Sequence, residues 1–237
     1  MGKLKRYCTA LKRYHKSKGF GIHSPFAFSF VLNVLREKLH YYAYADIDWR
    51  RDEARRIKRL LKVHHPKMIS EKSARMTFRV ANYFNPKKVL QLGTNFGVSA
   101  YSTLRVSSKS QMWLYSDVRR REVALLLLQD MIDRIDVSET AEEAIKAYSE
   151  NLQGERPYIV VNRVDPEEVG MIAEWLKSKA ADECIVVMRN IQNDDTVASL
   201  WNTLRDSLTH GMTFTNGKMG IAVVEKKLPK QNFQLWF

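Results

Sequence analysis

Three residues set the chemistry this chain can do. Gly93 and Gly97 stand four apart in "VLQLGTNFGVSA" (residues 89–100), directly after an apolar run. Asp117 follows Gly97 by 20 residues, at the end of a second apolar run. A strand that ends in a turn free of side chains lets a ligand approach the main chain. A helix begun near Val98 aims its first N–H groups at that turn. A carboxylate at the end of the neighbouring strand can accept hydrogen bonds from the two hydroxyls of a ribose. The competing reading of Asp117 is a cap on the helix that follows it. The spacing G-x-x-x-G is neither the dinucleotide G-x-G-x-x-G nor the phosphate loop G-x-x-x-x-G-K-[ST]. A pyrophosphate is therefore poorly provided for, and an adenosyl ligand without phosphates is the better match.

The elements that must position these residues can be read from periodicity. Short apolar runs, KKVLQLG, QMWLYSD, a weaker IDVSET, PYIVVNR and ECIVVMRN, alternate with helical patterns over 98–106, 120–132, 141–151, 166–180 and 196–208. Apolar strands alternating with helices predict a parallel sheet covered on both faces. The end differs: two β-rich runs flank Asn216-Gly217, which is hairpin chemistry. The expectation is an α/β, Rossmann-like sheet of seven strands with a C-terminal antiparallel hairpin. Residues 1–84 read instead as a basic, helical N-terminal extension, and 85–237 as the Rossmann-like domain. Within the extension, helices are predicted over 4–18, after the cap Ser24 and Pro25, over 49–63 as far as Pro66, and over 68–84. "YYAYADID" reads as a break.

Of the net charge of +13, residues 1–80 carry +14, with 20 Lys and Arg against 6 Asp and Glu. The rest of the chain is nearly neutral. A basic extension on a neutral domain can hold a polyanion such as nucleic acid, or can simply be a solvated helix face. No apolar run approaches the roughly 20 residues of a transmembrane helix. Cys8 and Cys184, far apart, form no disulfide framework, which fits a reducing cytoplasm. His23-Ser24 is better explained by Ser24 capping a helix than by a nucleophile and base. His64-His65 has no partner at zinc-like spacing. Tyr41, Tyr42 and Tyr44 read as packing.

"VLQLGTNFGVS" resembles the first motif of class I S-adenosylmethionine-dependent methyltransferases, in the E-L-G-T-x-x-G-x-S form of O-methyltransferase-like members. "GFGIHSPFAF", "YYAY" and "MGIAVVEKKLPKQNFQLWF" resemble the two ends of a group of such proteins typical of Bacteroidetes. The resemblance implies S-adenosylmethionine as cofactor and a small-molecule acceptor. It implies that Gly93, Thr94 and Gly97, with Gln91 before them, line the methionine and ribose part of the cofactor. Asp117 would then hold the ribose, and Glu139 or Glu142 would lie by the adenine. Three departures accompany it. Gln91 stands where the motif has an acid, which weakens the hold on the cationic amino-acid end. Asn162, Arg163, Val164 and Asp165 replace an Asp-Gly-x-His pattern at the end of the fourth strand. Arg189 and Asn190 replace an Asp-Asp pair at the end of the fifth. Hard cations need carboxylate oxygens, so no metal is expected. Asn162, Asp165 and Asn190 remain as candidate catalytic residues on the acceptor side. Asp165, Asp194 and Asp195 also read as loop or cap residues. The alternative is a degenerate enzyme: a binding or scaffold protein of the same fold, contacting nucleic acid through its basic N-terminal third.

Overall fold

The structure, a computed structural model, describes residues 22–63, 68–94 and 96–237. The helix expected over 4–18, Cys8, His64, His65, Pro66 and Asn95 lie outside the described residues.

Ser24 and Pro25 open the first helix as their chemistry predicts. α1 (Pro25–Phe30) has proline at its start, and the Ser24 hydroxyl accepts the Ala27 N–H at 3.3 Å. The chain continues as a π-helical turn, Val31–Leu35. α2 (Ala43–Leu60) begins six residues earlier than expected, inside the tyrosine cluster read as a break. Its start has no side-chain cap; packing of Tyr41 and Tyr44 around Phe78 holds it instead. α3 (Glu71–Phe84) is capped by Ser70 and ends at Asn85 in the left-handed conformation.

The sheet follows. β1 is Lys88–Leu92, β2 Gln111–Tyr115, β3 Ile135–Ser138, β4 Tyr158–Val161 and β5 Cys184–Arg189. Between them run α4 (Val98–Leu104), α5 (Val118–Leu127), α6 (Ala141–Asn151) and α7 (Val169–Ala180); α8 (Asp195–Ser207) follows β5. Short 3₁₀ turns at Gln129–Arg134 and Pro166–Glu168 trim two of the expected helices. β6 (Met212–Thr215) and β7 (Met219–Val224) make the hairpin, with Asn216 accepting the N–H groups of Lys218 and Met219. The order is β3-β2-β1-β4-β5-β7-β6-β8. Only β7 runs antiparallel to its neighbours. The seven expected strands are joined by an eighth, β8 (Gln231–Gln234), an edge strand parallel to β6.

Alternation along each strand sorts the core into two layers. Val89, Met112, Val160, Val187 and Ile221 pack beneath α1–α5 with Phe30, Ile47 and Phe78. Leu90, Leu92, Ile159 and Val186 pack against α6–α8 with Tyr148, Ile172 and Trp201. The described part of the N-terminal segment therefore shares one core with the sheet. Much of its charge is also engaged: Asp46 pairs with Arg105 at 2.6 Å, Arg50 with Asp130 at 2.5 Å, and Asp48 with Arg75. Pairs at or near the surface contribute little, about 0–1 kcal/mol where exposed, so apolar burial holds the layer in place. No helix among the described residues is long and apolar enough to cross a membrane.

Candidate active site

Strand order reverses between β1 and β4, which places a crevice at the carboxyl ends of these strands. The turn after β1 lies at that point. Gly93 has φ +80°, and its N–H donates to Tyr115 O at 2.7 Å. A Cβ on Gly93 would stand 2.8 Å from both the N and O of Arg163, so glycine lets the loop after β4 close over the turn. Gly97, with φ +83°, starts α4, and a Cβ there would stand 3.0 Å from the Ala124 Cα. The close main-chain approaches at both glycines are made by the protein itself. Phe96, between them, is fully buried, with the Lys58 ammonium of α2 5.0 Å from its ring centre.

Gln91, Asn162 and Arg189 lie two residues beyond Val89, Val160 and Val187, so they project from adjacent strands on the face covered by α1–α5. All three are buried. Asn162 Nδ2 donates to Gly93 O at 2.7 Å and to Ser99 Oγ at 3.3 Å. Its Oδ1 accepts from Arg189 Nη1 at 2.9 Å, and its main-chain oxygen accepts from Asn190 Nδ2 at 3.0 Å. Asn162 is thus sealed and saturated. It holds the glycine turn and the end of β5 together, and the expected acceptor contact is not available to its amide. Asn190, with φ +67°, is spent on the same network. Arg189 has no carboxylate partner among the described residues, and burial pushes its pKa down to about 10. Gln91 donates its amide N–H to Gly93 O at 3.2 Å, and its buried Oε1 has no partner.

The other expected residues fall at the same sheet edge in different roles. Thr94 is buried, its hydroxyl 3.1 Å from Ser116 Oγ. Asp117 caps α5, accepting the Arg120 N–H at 3.3 Å, and pairs with Arg120 Nη1 at 2.8 Å; it stays partly exposed. Glu139 is largely exposed, 3.9 Å from Arg121, at the far end of the crevice beyond β3. Asp165 accepts the Tyr115 hydroxyl at 2.6 Å. Burial first, then Asp165 and Glu168, hold the Tyr115 hydroxyl well above the usual phenol range. Asp194 caps α8. Two residues escaped the sequence reading. Tyr115 is signalled only by ending β2. Arg120 is half-buried among Asp117, Arg163, Asp165 and Asp194, and burial lowers its pKa. Among the described residues, no group of three His, Cys, Asp or Glu side chains is placed to hold a metal ion.

These elements define the Rossmann-like fold of class I methyltransferases, and solved structures share it. The chain is similar to cofactor-bound Rv0187 from MTB, with TM-score 0.56 and 17% identity over 79% of this chain and 92% of that one. It is similar to an O-methyltransferase from Bacillus cereus in complex with SAH, with TM-score 0.59 and 14% identity over 75% and 91%. It is also similar to the O-methyltransferase TomG from Streptomyces achromogenes in complex with SAM, with TM-score 0.52 and 13% identity over 91% and 98%. No protein-family profile and no curated protein sequence matches the chain.

Proposed function

We propose that the protein is an S-adenosylmethionine-dependent methyltransferase acting on a small-molecule acceptor without a metal ion. One observation carries the reading: the unpartnered, fully buried Oε1 of Gln91, beneath the glycine turn at the point of strand reversal. A buried acceptor left unpaired costs about 1–3 kcal/mol, and the ammonium of the cofactor's amino-acid end is a donor that would satisfy it. When bound, the cofactor supplies a sulfonium methyl group as electrophile. The chain's own part is to bind and align. Gly93, Thr94 and Gly97 shape the turn. Asp117 offers its partly exposed carboxylate to the ribose in exchange for Arg120. Glu139 lies towards the adenine end. On the acceptor side Asp165 carries the accessible carboxylate, with Asn162 and Asn190 positioning the strand ends around it. A metal-free reaction follows from the donor set: two amides and a guanidinium at the ends of β4 and β5 disfavour a divalent cation.

A second reading, a binding or scaffold protein that has lost turnover, is favoured by the sealed amide of Asn162 and by the Arg120 partner of Asp117. Calorimetric titration with S-adenosylmethionine and S-adenosylhomocysteine separates the outcomes. Micromolar binding supports the cofactor site, and heat-free titration at millimolar ligand ends it. Binding without methyl transfer to any nucleophile in an acceptor panel selects the second reading.

A further inference from the structure

Away from the glycine turn, a cavity of about 330 Å³ opens between the segment after the π-turn, the first turns of α3 and the residues beyond β8. Its wall carries Arg36, Lys38, Lys72, Arg75 and Arg79, against two acids, Glu37 and Glu71. Acids answer only part of it. Glu71, at 2.8 Å, and Asp48 both pair with Arg75, and Glu37 turns back onto the N–H groups of Lys38 and Leu39 at 2.6 and 2.7 Å, so the cationic excess rests on Lys72 and Arg79. Arg79 is fixed by neutral acceptors: Val34 O at 2.7 Å, Leu35 O at 3.5 Å, the Tyr44 hydroxyl at 3.1 Å and Met76 Sδ at 3.4 Å. Lys72 has no ion-pair partner among the described residues. Partial burial of its ammonium lowers its pKa, and the Arg79 and Lys218 charges beside it lower it further. Like charges gathered at one wall cost free energy that a bound anion repays. At the rim stands Trp236, 54% exposed, a flat apolar surface next to the cations.

We propose that this cavity binds a phosphate monoester carried on a planar ring. The clustered cations match a dianion better than a single carboxylate, because each further positive charge is answered only by a further negative one. The exposed indole offers the stacking face. The volume suits an aryl phosphate or a mononucleotide and is too small for a longer polyanion to enter whole. None of the residues assigned to the cofactor lines it, so the site stands independently of the methyltransferase reading.

The test titrates the full chain with phenyl phosphate and with AMP, in the presence of excess S-adenosylhomocysteine so that an adenosyl site cannot contribute. Tryptophan fluorescence and heat are followed together, and inorganic phosphate is added as competitor. Binding of either monoester, quenching lost in Trp236→Phe, and an affinity about tenfold weaker in Lys72→Glu support the site. Lys38→Glu, on the exposed part of the wall, gives the same direction with a smaller loss if Lys72→Glu folds poorly. Preference between the two monoesters tells a simple aryl phosphate from a nucleotide. No binding of either at 10 mM, or binding that both charge reversals leave unchanged, overturns the proposal. So does a protein that ignores both monoesters yet binds single-stranded RNA in a salt-dependent manner. S-adenosylmethionine affinity, measured on the same variants, stays at the wild-type value, so failure of one reading is not read as failure of the other.

Discussion

Replacing Gly93 by alanine tests whether the loop after β4 closes over the glycine turn. Two costs combine. At φ +80° an L-residue is strained by about 1–2 kcal/mol, less about 0.4–1 kcal/mol regained because alanine restricts the unfolded chain. The second cost is steric. The new methyl would meet Arg163 N and O at 2.8 Å, where ordinary contact begins near 3.4 Å; both atoms are main chain, and the N–H groups of Asn162 and Arg163 are tied to Leu92 O at 2.8 and 3.5 Å. Overpacking of this kind costs about 1–3 kcal/mol. The expected loss is about 2–4 kcal/mol, a fall in Tm of roughly 5–12 °C for a chain this size. Gly154 supplies the control: it has φ +77° with nothing within 4 Å of its would-be Cβ, so Gly154→Ala carries only the backbone term, about 1 kcal/mol or less. Urea unfolding of both variants isolates the steric part. If Gly93→Ala loses no more than Gly154→Ala, the close approach of Arg163 is wrong, and with it the shape of the site.

Asn162→Ala removes the shorter of two donors to Gly93 O, removes the donor to Ser99 Oγ and strips Arg189 of its acceptor; the expected loss is about 3 kcal/mol by urea unfolding, with cofactor affinity falling in step. Cys184 is fully buried, and burial pushes its thiol up to about 12, so it stays unmodified by alkylating reagents at pH 8 until the protein unfolds, as peptide mapping would show. Its folded pKa lies above the ordinary 9.0, so the stability it contributes is complete below about pH 9 and is lost as pH rises towards 12. The buried Tyr148 and Tyr158 hydroxyls, also raised by burial, act in the same direction from about pH 10, and the urea midpoint should fall steadily over this window. S-adenosylhomocysteine, which lacks the sulfonium charge, should bind about threefold to tenfold more tightly than S-adenosylmethionine at low salt, since one uncompensated cation at several ångströms is worth about 1 kcal/mol. Equal affinities by calorimetry would show that the Arg189 charge does not reach the ligand.

The central strands were legible because each buries both faces: VLQL, IVV and CIVVM leave a helix no polar side to present to water. The tail of the sheet was not. QNFQ has one apolar residue, and β8 exists because its main chain completes the edge of β6, which composition does not record. The start of α2 was misread for a related reason, since Tyr41 and Tyr44 are held by Phe78, 37 and 34 residues away in the chain. In the site, spacing alone placed Gly93, Gly97 and Asp117 at the crevice but could not choose between cap and ribose ligand for Asp117. The cap is made in the structure, and the choice turns on Arg120, a residue that spacing does not single out.

The ends of β4 and β5 show why a substitution read alone misleads. Asn162 and Arg189, taken one at a time, are two lost carboxylates. Together they form a buried pair: an amide oxygen accepts from the guanidinium while the same amide's nitrogen grips Gly93 and Ser99. Restoring one acid, as in Asn162→Asp, would not restore a metal ligand. It would give Arg189 a carboxylate partner and take from Gly93 O the shorter of its two donors, leaving only Gln91, and so trade the geometry of the turn for an ion pair. The edge of the sheet therefore acts as a unit, with the buried guanidinium of Arg189 as its fixed charge.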